Sequence, residues 1–323
     1  MASIETAAPR GATFSDYYDS IVTNVERVIQ GKREVIELML LCLVSEGHLL
    51  LEDVPGVGKT NLAKSLATSI KCSFGRVQFT PDLLPSDVVG LTVWNRGDNS
   101  FDFRPGPVFN NIVLADEINR ASPKTQAALL EAMAENQVTV DGITYPLTRP
   151  FMVMATQNPI EHEGTYPLPE SQLDRFLMRV SVGYPSPSAE LEILDAHGDH
   201  DPFRDLGAVV SHDDVERLAL ATRQVHVAPS LKGYLVDVAQ ATRRSPHLAL
   251  GVSPRATLAL QRVARARAAA AGRGYVIPDD VKGLAEPVLA HRLIVTPEAQ
   301  LQGISPADAL GEVLRAVPVP GGH

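Results

Sequence analysis

Residues suited to phosphate chemistry are concentrated in Asp53-Val54-Pro55-Gly56-Val57-Gly58-Lys59-Thr60. Gly56 and Gly58 let the backbone come close to a polyphosphate, so that successive N–H groups can point at its oxygens. Lys59 would neutralise β- and γ-phosphates, and the Thr60 hydroxyl would bind Mg²⁺. Pro55, Val57 and Asn61 complete the contact surface around them. Without a ligand the same stretch would be a plain Gly/Pro turn. The flanks argue against that: an apolar run, His48 to Glu52, precedes it, and a helical pattern, Asn61 to Ile70, follows. A strand, a glycine-rich turn and then a helix bring a positive helix end onto phosphate. Asp53 stands where the usual pattern has its first glycine. A carboxylate there would repel phosphate, so Asp53 is expected to point away.

Four further sites could act on the same ligand. Ile112-Val113-Leu114-Ala115-Asp116-Glu117 ends an apolar strand in two carboxylates, at the sheet edge where open α/β folds bind ligands. Asp116 would hold Mg²⁺, through water, and Glu117 would orient and polarise the attacking water. Asn158, after the apolar run to Ala155, could hydrogen-bond phosphate and water; otherwise Asn158-Pro159 only closes a strand. Arg175, in Leu173-Asp174-Arg175-Phe176, could stabilise transition-state charge, or form a surface salt bridge with Asp174 or Glu170. Arg255 follows an N-cap serine and Pro254 at a helix start, and could read the γ-phosphate if the helical half folds over the sheet.

The supporting elements follow from the pattern. Strands are expected at His48–Glu52, Ser73–Phe79, Asn111–Ala115, Phe151–Ala155 and Leu177–Val182, most of them apolar as a parallel sheet covered on both faces requires. Helices are expected at Asp19–Gln30, Glu34–Val44 and from Pro123 to about Ala134, with hairpins around Arg96-Gly97-Asp98-Asn99 and at Val138–Tyr145. Tyr184-Pro185-Ser186-Pro187-Ser188 breaks the pattern. Beyond it only helices are expected, at Ala189–His197, Asp213–Thr222, Ser230–Arg243, Ala256–Ala271 and Asp279–His291. The expected domains are a tail over 1–13, a nucleotide-binding α/β domain over 14–184, a helical lid over 188–316 and a loose end over 317–323.

Composition narrows the classes. Hydrophobic residues make up 45% of the 323, which supplies a core and argues against disorder. The net charge of −9 argues against nucleic acid as a partner. Cys42 and Cys72 lack metal-type or redox-type neighbours, so a reduced, cytoplasmic protein is expected. Met1–Ser20 does not read as a signal peptide, and the apolar run Leu38–Val44 is too short to span a bilayer. Glu161-His162-Glu163 reads as a polar loop rather than a zinc site. Arg262, Arg265, Arg267 and Arg273 read as a solvated or subunit-contact face.

Three long stretches together resemble the MoxR family of AAA+ ATPases, over roughly 15–317. They are Gln78-Phe79-Thr80-Pro81-Asp82-Leu83-Leu84-Pro85-Ser86-Asp87, Ala115-Asp116-Glu117-Ile118-Asn119-Arg120-Ala121, and Ala155 to Glu161 continuing through Gly164–Glu170 to Phe176. The resemblance implies a P-loop NTPase fold: a parallel five-stranded sheet flanked by helices, then a small all-α lid. It implies Walker A roles for Lys59 and Thr60 and Walker B roles for Asp116 and Glu117. Asn158 would be sensor 1, Arg175 an arginine finger and Arg255 sensor 2, with Val28, Ile29 and Gly31 in the segment that packs on adenine. It further implies ATP and Mg²⁺, a ring homo-oligomer, usually a hexamer, in which Arg175 reaches a neighbour's ATP, and chaperone-like work on a protein client. The adaptor expected is a protein with a von Willebrand factor A domain. The remaining alternatives are a chelatase-like motor subunit, a helicase, and a nucleotide-gated scaffold that scarcely turns ATP over; Glu117 argues against the last.

Overall fold

The structure is a computed structural model that describes residues 12–54, 56–158, 165–184, 187, 190–191, 203 and 205–320. The expected helix at Ala189–His197 apart from residues 190–191, the Glu161-His162-Glu163 loop, Pro55, residues 1–11 and residues 321–323 lie outside the described residues.

Five parallel strands form the main sheet: β1 (Leu49–Glu52), β2 (Phe74–Gln78), β5 (Ile112–Asp116), β8 (Met152–Gln157) and β9 (Met178–Val180), in the order β2-β5-β8-β1-β9. This order sets the strand carrying the phosphate loop beside the one ending at Gln157, and the latter beside the strand ending in Asp116. Leu51 pairs with Thr156, Ala115 with Ala155 and Gln78 with Asp116. Three polar strand ends therefore share one edge of the sheet.

Side chains alternate across the sheet, as a period of two requires. Leu49, Leu51, Leu114 and Met154 join a core with α1 (Phe14–Glu26), α2 (Arg33–Val44) and α3 (Lys59–Ser69). Leu50, Val113, Ala115 and Val153 join a second core with α5 (Pro123–Glu135). Each buried leucine of β1 contributes about 1.5–3 kcal/mol relative to exposure.

Two hairpins project from the sheet region. β3 (Gly90–Asn95) and β4 (Ser100–Pro105) pair Trp94 with Phe101, whose rings meet edge to face at 4.8 Å. This hairpin follows the short helix α4 (Pro85–Val89). β6 (Gln137–Val140) and β7 (Ile143–Pro146) turn at Asp141-Gly142, both at positive φ, the Asp-Gly geometry of a tight hairpin. Phe103 of one hairpin stacks on Tyr145 of the other at 4.0 Å.

After the short helix α6 (Glu170–Leu173) and β9, the second half is built from α7 (His212–Thr222), α8 (Pro229–Arg244), α9 (Pro254–Ala270), α10 (Pro278–Leu289), α11 (Pro297–Leu301) and α12 (Pro306–Ala316). Ser253 caps α9 by accepting the Ala256 N–H, with Pro254 in the first turn, as the sequence suggests. One expectation fails: the second half is not purely helical. β10 (Leu248–Leu250) pairs antiparallel with β11 (Ile294–Val295). These segments are too short to show a two-residue period. The basic face is also not simply solvated. Arg273 forks onto Asp280, which is buried, at 2.6 and 2.9 Å. Among the described residues no helix is long and apolar enough to cross a membrane.

Candidate functional site

The glycine loop closes onto α3, whose N-cap, Gly58, lies at φ 85° and ψ 17°. Gly56 is also left-handed, at φ 86°, and a Cβ built on it meets nothing within 4 Å. Only glycine adopts this conformation freely. No side chain caps α3 and its first turn holds no acidic residue, so no anion of its own first turn competes for its N-terminal N–H groups. Ile29 is buried and its Cδ1 lies 3.9 Å from where a Gly58 Cβ would be. Val28 packs against the same core, and Gly31 turns the chain at φ 70°. The segment expected at adenine thus reaches the phosphate loop.

Gly56, Gly58, Lys59, Thr60, Asn61, Asp116, Glu117 and Asn158 all line one cavity of about 400 Å³. Val57 packs against the adjoining core. Lys59 donates to the Asp53 carbonyl at 2.8 Å. Burial draws its pKa down, opposed by the Asp53, Asp116 and Glu117 carboxylates. Asp53 itself is turned away from the cavity. Its carboxylate accepts the Gly183 N–H at 2.5 Å and the Ser181 hydroxyl at 3.1 Å, beyond β9. That resolves the electrostatic problem posed by the sequence: the charge is spent on the loop's scaffold. Asp116 and the Thr60 hydroxyl supply oxygen donors to one cavity, the donor chemistry that Mg²⁺ takes.

Three residues at this site escaped the sequence reading. Thr156 donates to Asp116 Oδ1 at 2.6 Å and accepts the Glu117 N–H at 2.8 Å, so it spans both carboxylate residues. Arg76 donates to Asp116 Oδ2 at 2.7 Å, and Gln78 to Glu117 Oε2 at 2.9 Å. The signal for the last two was present. Burial alternates along β2, which leaves Arg76 and Gln78 on the exposed face beside Asp116. Arg120 also donates to Glu117 Oε2, at 2.9 Å. Glu117 is left-handed, at φ 55° and ψ 50°, an uncommon and strained state for a glutamate.

Arg175 and Arg255 are elsewhere. Among the described residues neither lines the phosphate-loop cavity. Both line a second cavity of about 290 Å³, with Arg262, Arg292, Asp174 and Glu46. Arg175 donates to the Leu130 carbonyl, and Arg255 lies 3.8 Å from Asp174. In this arrangement α9 packs with its N-terminal turn toward Asp174, away from this chain's own phosphate-loop cavity. Arg179, four residues after Arg175, pairs with Glu52 at 3.1 Å. His48 borders this cavity and is fixed by the Val153 N–H and the Met133 carbonyl, each at 3.0 Å. Burial lowers its pKa to about 4.

Comparison with known proteins agrees with this layout. Residues 48–178 match the family model of the ATPase family associated with various cellular activities (AAA), and 240–313 match an AAA lid domain. The uncharacterized protein YeaC of Bacillus subtilis is 51% identical, covering 93% of each chain. The chaperone MoxR1 of Mycobacterium tuberculosis is 45% identical over 93% of this chain and 81% of its own. A crystal structure from Cytophaga hutchinsonii, assigned as an ATPase, superposes with a TM-score of 0.89 at 39% identity, over 95% of this chain and 96% of that one. A phosphate loop sharing one cavity with Asp116 and Glu117, a helical second half packed on the same sheet, and relatives named MoxR at these identities place the chain in the MoxR family of AAA+ ATPases.

Proposed function

We propose that this protein is a Mg²⁺-dependent, ring-forming ATPase that couples ATP hydrolysis to remodelling of a protein client. The observation that carries the reading is the separation of two half-sites. One cavity holds Lys59, Thr60, Asp116, Glu117 and Asn158; the other holds Arg175 and Arg255. Such halves complete each other when the phosphate face of one subunit meets the arginine face of the next. In a closed, head-to-tail assembly every subunit then serves as both.

In this scheme residues 14–184 form the nucleotide-binding domain and 188–316 the lid. The loop N–H groups and Lys59 hold the triphosphate of ATP, with Val28, Ile29 and Gly31 beside adenine. Mg²⁺ held by Thr60 and Asp116 would offset charge on the phosphate oxygens. Glu117 orients a water and takes its proton, and Asn158 hydrogen-bonds the γ-phosphate and that water. Arg175 and Arg255 of the adjoining subunit stabilise the charge that develops on transfer. A hexamer, a cytoplasmic location, an adaptor with a von Willebrand factor A domain and a role in maturing protein complexes, metal-cofactor insertion included, complete the proposal. The chaperone name of the mycobacterial relative supports the client-directed part.

The test is ATP turnover per subunit against protein concentration, with Mg²⁺, for the unmodified chain and for Arg175→Ala. A rise with concentration that Arg175→Ala abolishes is expected. A flat rate indifferent to Arg175 would end the shared-site scheme.

A further inference from the structure

We propose that Arg292 and Asp174 are positioning residues for Arg175 and Arg255, a latch through which the second half of the chain sets the arginines of the shared site. The proposal rests on the reading that these arginines complete a neighbour's site.

Arg292 ends the short 3-10 turn Ala290–Arg292 after α10, and its side chain is 6% exposed. Its guanidinium is almost entirely spent on the segment that carries Arg175. Nε donates to Asp174 Oδ1 at 2.8 Å, and Nη2 donates to the Phe176 carbonyl at 2.7 Å and the Asp174 carbonyl at 3.4 Å. Nη1 donates to the Val288 carbonyl, which ties the fork back to its own helix. His291 adds a contact from Nε2 to the Phe176 carbonyl at 3.2 Å. Both chain neighbours of Arg175 are thus held by one lid turn. The other oxygen of Asp174, Oδ2, faces Arg255 at 3.8 Å. One carboxylate thereby connects the latch to both candidate arginines.

The ion pair is not the segment's sole anchor. Phe176 is fully buried and already anchors the segment in the sheet core. A buried ion pair is costly to desolvate, and apolar replacements are often no less stable. What the pair supplies is placement. Arg175, Arg255, Arg262 and Arg292 line one cavity, and among the described residues only Asp174 and Glu46 line it with opposite charge. Removing the Asp174 charge leaves those guanidinium groups to repel one another where Arg175 and Arg255 must be aimed. Lysine cannot replace Arg292, because the flat fork reaches a carboxylate and carbonyls at once.

The experiment uses subunit mixing. Asp174→Asn, close in size and only partly buried, is compared with Arg292→Lys. Each is expected to lower concentration-dependent turnover about tenfold or more, while affinity for a fluorescent ADP analogue stays within about twofold. Asp174→Asn is then mixed in equal amounts with Glu117→Gln, whose own site is inert but whose arginine face is intact. Random assembly pairs a competent phosphate face with a competent arginine face at about a quarter of sites, so turnover should rise toward about a quarter of the unmodified rate. A folding defect or an effect on the chain's own phosphate loop would give no such rescue, and that result overturns the proposal. Unchanged turnover in Asp174→Asn also overturns it. The same mixture with Arg175→Ala separates the two levels: rescue there without rescue for Asp174→Asn defeats the latch alone, whereas rescue in neither removes the shared site on which it rests.

Discussion

The phosphate-loop cavity takes its side chains from strand ends that share one edge of the sheet and from the loop and first turn of α3 that follow β1. The arginine cavity gathers its own from the end of α6, the first turn of α9 and the turn after α10. The first is bound to backbone that the sheet hydrogen bonds define. The second depends on how the helical half docks. The phosphate-binding groups are tied to the sheet, and the arginines sit where two parts of the chain meet.

The sharpest way to break this contrast is Glu117→Gln, which removes the carboxylate of the proposed base and leaves the loop intact. Turnover should fall about 10³-fold with ATP still bound, as measured by single-turnover assay and nucleotide retention. Loss of binding instead would mean that Glu117 serves the loop.

Acid should act next most strongly, and on the arginine side. His48 borders that cavity, and burial holds its pKa at about 4 against roughly 6.5 when unfolded. Between those values the unfolded chain binds a proton that the folded chain refuses. Stability is therefore full above the window and falls as pH drops through it, by on the order of 3 kcal/mol. Urea midpoints at pH 7 and pH 5 should separate less in His48→Gln; equal separation would clear His48 of the effect.

Arg255→Ala is expected to cost less, about 30-fold in turnover, in line with a lost hydrogen bond to a charged group. The loss should appear only at concentrations where subunits associate. An equal loss at every concentration would return Arg255 to its own chain's site. Smallest is Asp53→Ala, which leaves the Gly183 N–H without its acceptor and should lower unfolding free energy by about 1–2 kcal/mol by urea titration. A gain in stability would mean that the charge is a burden rather than a tether.

The same contrast explains what could be read from the sequence. The sheet strands, the two hairpins and the residues at the phosphate loop are written in local order: an apolar run, a turn, then polar atoms at a strand end. Asp116 and Glu117 reach the loop because parallel strands end on one edge. Arg76 and Gln78 needed one more step, the alternation of β2 read against a neighbouring strand. Arg175 and Arg255 were recognisable as residues but not in place, since no local pattern says how α9 meets Asp174. Arg292 gave no signal at all; its five acceptors are carbonyls and a carboxylate assembled by the fold. The capping box of α12, Ser305 with Asp308 and Pro306 between them, was legible and was passed over.

The core shared by β1, α1–α3 and the later helices has a consequence for dissection of the molecule. Leu218, Leu235, Leu260 and Leu284 pack in the same apolar cluster as Leu49 and Met154. A fragment cut at 184 would expose a slab of leucine, valine and methionine rather than a finished surface. The second half is therefore not a detachable module. Fragments ending there should be recovered as aggregates, and exchange of lids between relatives should succeed only when the facing side of the sheet is exchanged with them.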